Sequence, residues 1–233
     1  MAAGEVQTWL RQTFTQWGLP GVMRVDNGWP WAQRQDLPTA LALWLIGLGV
    51  QVSWNPPRSP RANGFVERFN GLLDQWGEPQ RCTSWQAWDE RLQWLVSMQR
   101  EHYPACQGHT RQQAYPTLTQ ARLPYTAPHE SAQWDVQRVR HFLAHQRWTR
   151  VVAGRGQVTV YGRKYSVQAA HAHQRVGLRF DEATVEWVFS DQQGHEIVRY
   201  PAPEISAERI LSLSVSQPKA KAEADKPHCD PAA

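Results

Sequence analysis

Two stretches decide the fold: Val22-Met23-Arg24-Val25-Asp26-Asn27-Gly28 and, further on, Val50-Gln51-Val52-Ser53-Trp54. In the first, four residues suited to a strand run into Asp-Asn-Gly, a triplet that favours a turn because Asp and Asn tolerate left-handed backbone and Gly prefers it. The second alternates apolar and polar residues as a half-buried strand does. Between them Asp36 is placed to cap a helix, Pro38 suits its first turn, and the apolar run Thr39 to Leu48 predicts that it is buried. Working back, Val6, Leu10, Phe14 and Trp17 recur at helical spacing from Gly4 to Trp17, and Gly18-Leu19-Pro20-Gly21 stops that helix. Helix–strand–helix–strand alternation predicts α/β architecture with parallel strands.

Working forward, Asn55 to Ala62 holds three prolines and two arginines and predicts a loop. Helices are predicted over Asn63–Trp76 and Ser84–Tyr103, the second with Trp85, Trp88, Leu92, Leu95, Val96 and Gln99 along one side. Pro104, Pro116, Pro124 and Pro128 mark an extended linker, and Ser131 to His145 is compatible with a helix. The period then changes. Val158 and Val160, then Val176, Leu178 and Phe180, then Val185, Trp187 and Phe189 alternate with polar residues, which predicts five short strands closing into a small barrel over 148–200. Beyond Ser216 the chain is polar, free of aromatics and predicted to be disordered. The expected organisation is a core over 1–115, a linker and helix over 116–147, a barrel over 148–200 and a largely disordered segment over 201–233.

Composition limits what such a chain can be. Of its 233 residues 41% are apolar and 20% charged, enough for a packed core. The longest apolar stretch, Ala40 to Val50, is too short to span a bilayer, and no signal peptide is recognisable at the N-terminus. No membrane partner is expected. Cys82, Cys106 and Cys229 are odd in number and in no metal-ligand spacing, which favours a reducing, cytoplasmic setting. Arg outnumbers Lys by 21 to 4, and the net charge of +4 with a pI near 9.1 admits nucleic acid as a partner without requiring it.

Asp26 is predicted at the C-terminal end of a strand, where open α/β sheets bind ligands, although a plain turn explains Asp-Asn-Gly equally simply. On the helix from Asn63, Phe65, Phe69, Leu72 and Trp76 form the expected buried stripe. Asn63, Glu67, Asn70 and Asp74 lie about 160° round from it, so Glu67 faces away from the core. That face is either ordinary solvated surface or a site. The preceding loop carries Arg58 and Arg61 and no acid, as suits phosphate binding. Paired carboxylates converging from Asp26 and Glu67 would suit Mg²⁺.

Taken together, Arg24-Val25-Asp26-Asn27-Gly28, Trp54-Asn55-Pro56-Pro57 and Pro60-x-x-Asn63-Gly64-x-x-Glu67-Arg68 resemble the integrase core of DDE transposases. The likeness is to bacterial insertion-sequence transposases and, more distantly, to retroviral integrases, over about residues 3–115; the β-rich segment resembles the small SH3-like barrel that follows such cores. The resemblance implies a partial ribonuclease H-like fold, α/β, in which Asp26 is the second and Glu67 the third of three catalytic acids holding two Mg²⁺ (or Mn²⁺) ions. Asn63 and Arg68 would support Glu67 or the DNA. Arg58, Arg61, Arg163, Lys164, Arg175 and Arg179 would contact DNA phosphates. The implied partners are transposon ends, target DNA and other transposase subunits, in a bacterial, nucleoid-associated location.

The chain departs from the pattern in two ways. Forty residues separate Asp26 from Glu67, which fits an insertion around Trp29–Gln35. The first acid is missing: the only acid ahead of Asp26 is Glu5, on a predicted helix. The expectation is therefore a C-terminal portion of a DDE transposase that binds DNA without strand transfer of its own. The alternatives are a non-catalytic DNA-binding regulator of transposition and a remnant of a ribonuclease H-like nuclease.

Overall fold

The structure, a computed structural model, describes residues 2–31, 37–56, 64–121 and 123–215. The expected cap at Asp36, most of the Pro-rich loop and the tail from Ser216 lie outside them. The architecture is mixed helix and sheet, and the chain divides into two compact units, one from 1–31 with 48–134, the other from 32–47 with 135–233.

The first unit opens with α1 (Ala3–Trp17), whose start is closed by Glu5, the Oε2 of which accepts from the Ala2 amide at 2.7 Å. Gly18 ends the helix at φ 77°, and a Cβ there would meet Ala121 Cβ and the Leu123 carbonyl at 2.7 Å. That close approach lets the Leu19 amide donate to the Leu123 carbonyl at 2.8 Å. The strands β1 (Val22–Val25) and β2 (Gln51–Trp54) form where the alternation places them and pair in parallel, Val22 opposite Gln51 and Val25 opposite Trp54. The later helices are α3 (Gly64–Leu72), α4 (Trp85–Ser97), α5 (Arg111–Ala114) and α6 (Glu130–Gln133). Ser84 caps α4, accepting from the Ala87 amide. Buried Glu130 ties α6 to α1: Arg11 donates to both its oxygens at 2.7 and 2.8 Å, Gln7 accepts from the same guanidinium, and Tyr125 donates its hydroxyl.

Both expected apolar stripes are corrected. Phe69 is 40% exposed and Trp85 86% exposed. The buried face is narrower than the stripe: Trp85 opens α4 and lies with exposed Val96 on one edge of it while Leu95 on the other is buried, and α3 and α4 then run on into π-helical turns, Leu73–Gly77 and Met98–His102. Trp76 turns to pack edge-on against Tyr103, ring centres 5.3 Å apart, and Leu95 and Gln99 alone of the α4 stripe are buried.

The second unit is built on α2 (Ala40–Gly47), every residue of which is buried. It packs against α7 (Val136–Ala144) and α8 (Ala207–Leu211). Its last carbonyl, Gly47, accepts from the Asp135 amide and from Arg138, both near 3.0 Å, which satisfies a helix end inside the core. The strands β3 (Trp148–Val151), β6 (Arg175–Asp181), β7 (Glu186–Ser190) and β8 (Glu196–Pro201) form one antiparallel sheet in the order β3-β6-β7-β8. A separate hairpin joins β4 (Gln157–Val160) to β5 (Arg163–Ser166).

The expected closed barrel is thus two antiparallel sheets among the described residues. The hairpin pairs only with itself and meets the sheet through side chains, Tyr165 lying 5.8 Å from Phe189 and 5.5 Å from Tyr200. Val158, Val160, Val176, Leu178, Phe180, Trp187 and Phe189 are buried as their alternation predicted; Val185 instead sits in a turn at φ 55°. Packing also continues past residue 201, because Ile205, Ile210 and Val215 are buried. No helix among the described residues is long and apolar enough to cross a membrane.

Candidate functional site

Asp26 follows β1 directly and is exposed. Its Oδ1 accepts from the Gly28 amide at 3.2 Å, so Asp-Asn-Gly does form the turn its composition favours. A side chain at position 28 would bring a Cβ to 3.1 Å from Asp26 Oδ2. Asn27 instead joins the two strands. Its Nδ2 donates to the Asn55 carbonyl at 2.7 Å, while the Asn55 amide donates to the Val25 carbonyl at 2.8 Å. These two bonds clamp the C-terminal ends of β1 and β2 and hold Asp26 at the mouth of a parallel pair. That edge is where strand carbonyl ends leave room for a ligand.

Glu67 lies in the first turn of α3 and is exposed, as are Arg68 and Asn70. A carboxylate there is favoured by the helix dipole. Neither Glu67 nor Arg68 makes a hydrogen bond or ion pair among the described residues, and none links Asp26 to Glu67. Arg58, Arg61 and Asn63 lie outside the described residues.

A two-metal centre needs at least three ligating side chains brought together. Among the described residues no group of three or more His, Cys, Asp or Glu is placed to hold a metal ion. Glu5, the one acid ahead of Asp26, is committed to the start of α1. The described donor set by itself does not fit the implied pair of ions.

The basic residues of the second unit predicted to contact DNA divide into two groups. Arg163 and Lys164 on β5 and Arg175 at the start of β6 are exposed and have no acidic partner among the described residues. Arg163 lies over the Tyr165 ring at 5.7 Å. Arg179 is engaged: its guanidinium is 3.7 Å from both Asp181 and Glu196. Those acids belong to a cluster around Arg199, which reaches Glu196 at 2.7 Å, Glu186 at 3.3 Å and Asp181 at 3.6 Å. The Arg199 hydrogen bonds hold the Glu196 carboxyl below its ordinary range. A phosphate would have to compete with two carboxylates for Arg179.

Glu204 and Arg209 lie outside every range singled out from the sequence. Glu204 is only 1% exposed, and its Oε1 accepts from the Tyr165 hydroxyl. Burial and this carboxylate push the Tyr165 phenol well above its ordinary range. Glu204 Oε2 is buried without a hydrogen-bond partner, and the residue borders an open cavity of about 540 Å³ shared with Tyr161, Arg163, Arg209 and Ser214. The available signal was Ile205, Ile210 and Val215, an apolar recurrence beside Glu204 in a segment otherwise read as tail.

No family model matches the chain. Among solved structures it is similar to a chain of the simian T-cell lymphotropic virus intasome in complex with PP2A regulatory subunit B56 gamma, with a TM-score of 0.39 and 14% identity over 86% of this chain. It covers 62% of the length of that chain.

Proposed function

We propose that the chain is the C-terminal portion of a DDE-type transposase with a ribonuclease H-like core, acting in DNA integration, and that its own activity is DNA binding. Asp26 and Glu67 are the second and third acids of the site. The transposon ends and target DNA are its nucleic-acid partners, and other transposase subunits its protein partners. The observation that carries the reading is Asp26 at the end of the clamped parallel strands, with Asn27 joined to Asn55, in a sequence that continues to Asn63-Gly64-x-x-Glu67-Arg68. Arg163, Lys164 and Arg175, exposed and unpaired among the described residues, supply cationic groups for phosphates.

Glu5 is spent on its own helix, so the proposal assigns the isolated chain no strand transfer. The test joins two measurements on the purified chain, binding to duplex DNA across a salt series and strand joining in Mg²⁺ or Mn²⁺. Salt-sensitive binding without joining is expected. Joining that disappears in Glu67→Gln would make the chain an enzyme in its own right, and absence of binding would remove the DNA reading.

A further inference from the structure

The proposed DNA contacts leave one cluster of side chains unexplained, at the end of α7. His141 and His145 stand four residues apart, so they share one face of the helix, and both are exposed. Their ring centres lie 4.4 Å apart. Each ring is oriented through its Nδ1. His145 Nδ1 is 2.8 Å from the His141 carbonyl oxygen, and His141 Nδ1 is 3.4 Å from Oε2 of Glu182, in the turn after β6. A carbonyl and a carboxylate can only accept, so in the neutral imidazoles the proton is held on Nδ1 and the lone pair on Nε2. Neither Nε2 has a partner among the described residues.

Histidines that hold a metal ion are supported in the same way: the ring nitrogen away from the ion donates to a carbonyl or carboxylate, which fixes the tautomer and makes the other nitrogen a better ligand. The spacing agrees. Two imidazoles on one tetrahedral ion, each at a Zn–N distance of about 2.1 Å, have ring centres roughly 5 Å apart, within a small ring rotation of the pair on α7. We propose that His141 and His145 bind one Zn²⁺ ion through their Nε2 atoms, water filling the remaining positions, with Glu182 as the positioning residue for His141. Imidazole nitrogen suits Zn²⁺, whereas Mg²⁺ takes oxygen ligands, so the chemistry differs from that of Asp26 and Glu67. Glu182 is spent on Nδ1 and the protein supplies two ligands, in keeping with the lack of any three-residue metal group among the described residues. Only Phe142, Leu143 and Ala144 separate the two histidines, so no general base accompanies the ion and the site binds rather than hydrolyses. Charge drawn from the His141 ring by the ion strengthens its contact with Glu182, which couples the end of α7 to the turn between β6 and β7. The inference does not rest on the DNA-binding reading.

The test titrates the full chain with ZnCl₂ by calorimetry and records long-range ¹H–¹⁵N spectra of the ring nitrogens with and without the metal. Without metal both histidines should show the Nδ1–H tautomer; with it, one equivalent should bind and shift the Nε2 resonance of each. His141→Ala and His145→Ala should each weaken that equivalent by tenfold or more, since either leaves a single ligand. Glu182→Gln should weaken it by about tenfold, as loss of an outer-shell partner does. None of the three side chains is buried, so each variant should keep the parent's unfolding midpoint in the absence of metal, and that comparison separates lost ligation from lost folding. The chain has nine histidines in all. Zn²⁺ affinity that is the same in the parent and in both His variants therefore places the ion elsewhere and overturns the site. So does an Nε2–H tautomer in the metal-free chain, or no binding at millimolar Zn²⁺. Affinity unchanged in Glu182→Gln overturns the positioning role of that residue.

Discussion

Replacing Arg163, Lys164 and Arg175 together by Ala should weaken DNA binding chiefly at low salt, whereas Arg179→Ala should not. The three residues are exposed and lack acidic partners among the described residues, so each is available to displace a counterion from a phosphate. Each phosphate neutralised contributes a slope of about −0.9 to log K against log salt, so three contacts contribute about −2.7. Between 50 and 200 mM salt that slope corresponds to roughly a fortyfold change in affinity, which the triple variant should no longer show. Arg179 starts from a different state, lying 3.7 Å from both Asp181 and Glu196, and removing it frees carboxylates rather than phosphates. Fluorescence anisotropy on a labelled duplex at four or five salt concentrations reads both slopes directly. The reasoning fails if Arg179→Ala flattens the slope as much as Arg163→Ala does, or if the triple variant keeps the parent slope.

Gly18→Ala should destabilise the first unit by more than about 1 kcal/mol in denaturant unfolding, because the residue sits at φ 77° and its Cβ would meet backbone at 2.7 Å. Glu130→Gln should cost about 2–3 kcal/mol, less than a fully buried pair because Arg11 is a third exposed, and Tyr125→Phe should cost less than that. In an alkaline titration followed by phenolate absorbance, Tyr165 and Tyr125 should stay protonated after ordinary phenols have ionised near pH 10. Their folded pKa lies above the unfolded one, so this stabilisation is complete below about pH 10 and is lost as the pH rises further. Early ionisation of both would contradict the buried phenol–carboxylate pairs.

Local pattern carried the sequence reading where one face or one run was enough. β1, β2, α1 and the buried helix α2 formed as expected because a short alternating strand or an unbroken apolar run leaves few alternatives. Alternation also identified the apolar positions of β4, β6 and β7. It did not disclose closure, because whether the β4–β5 hairpin shares backbone hydrogen bonds with the larger sheet is decided by partners distant in sequence. Period failed at Phe69 and Trp85, because spacing gives the side of a helix on which apolar residues gather and not how much of that side its neighbours cover. Asp26 and Glu67 were legible as an exposed turn acid and an exposed helix acid; Glu204 was not, since a buried carboxylate in a polar segment reads as surface until Tyr165 is seen to reach it from β5.

The charge count of the second half illustrates why composition could not locate a nucleic-acid surface. Residues 151–233 carry ten basic and ten acidic side chains, a balance of zero that argues against a polyanion partner if charge is imagined as spread evenly. The fold sorts it instead. Asp181, Glu186 and Glu196 gather around Arg179 and Arg199 on the β6-β7-β8 sheet, where cation and anion screen each other at 2.7–3.7 Å. Glu204 is withdrawn into the interior, and Asp191 accepts from the amides of Gln193 and His195 within its own turn. Among the described residues, those left without a counter-charge are Arg155, Arg163, Lys164, Arg175 and Arg209, against Glu208 alone. Short-range pairing removes the paired ions from the long-range field, so a polyanion approaching from beyond a Debye length of about 8 Å meets chiefly the unpaired cations. A neutral segment can therefore present a cationic surface.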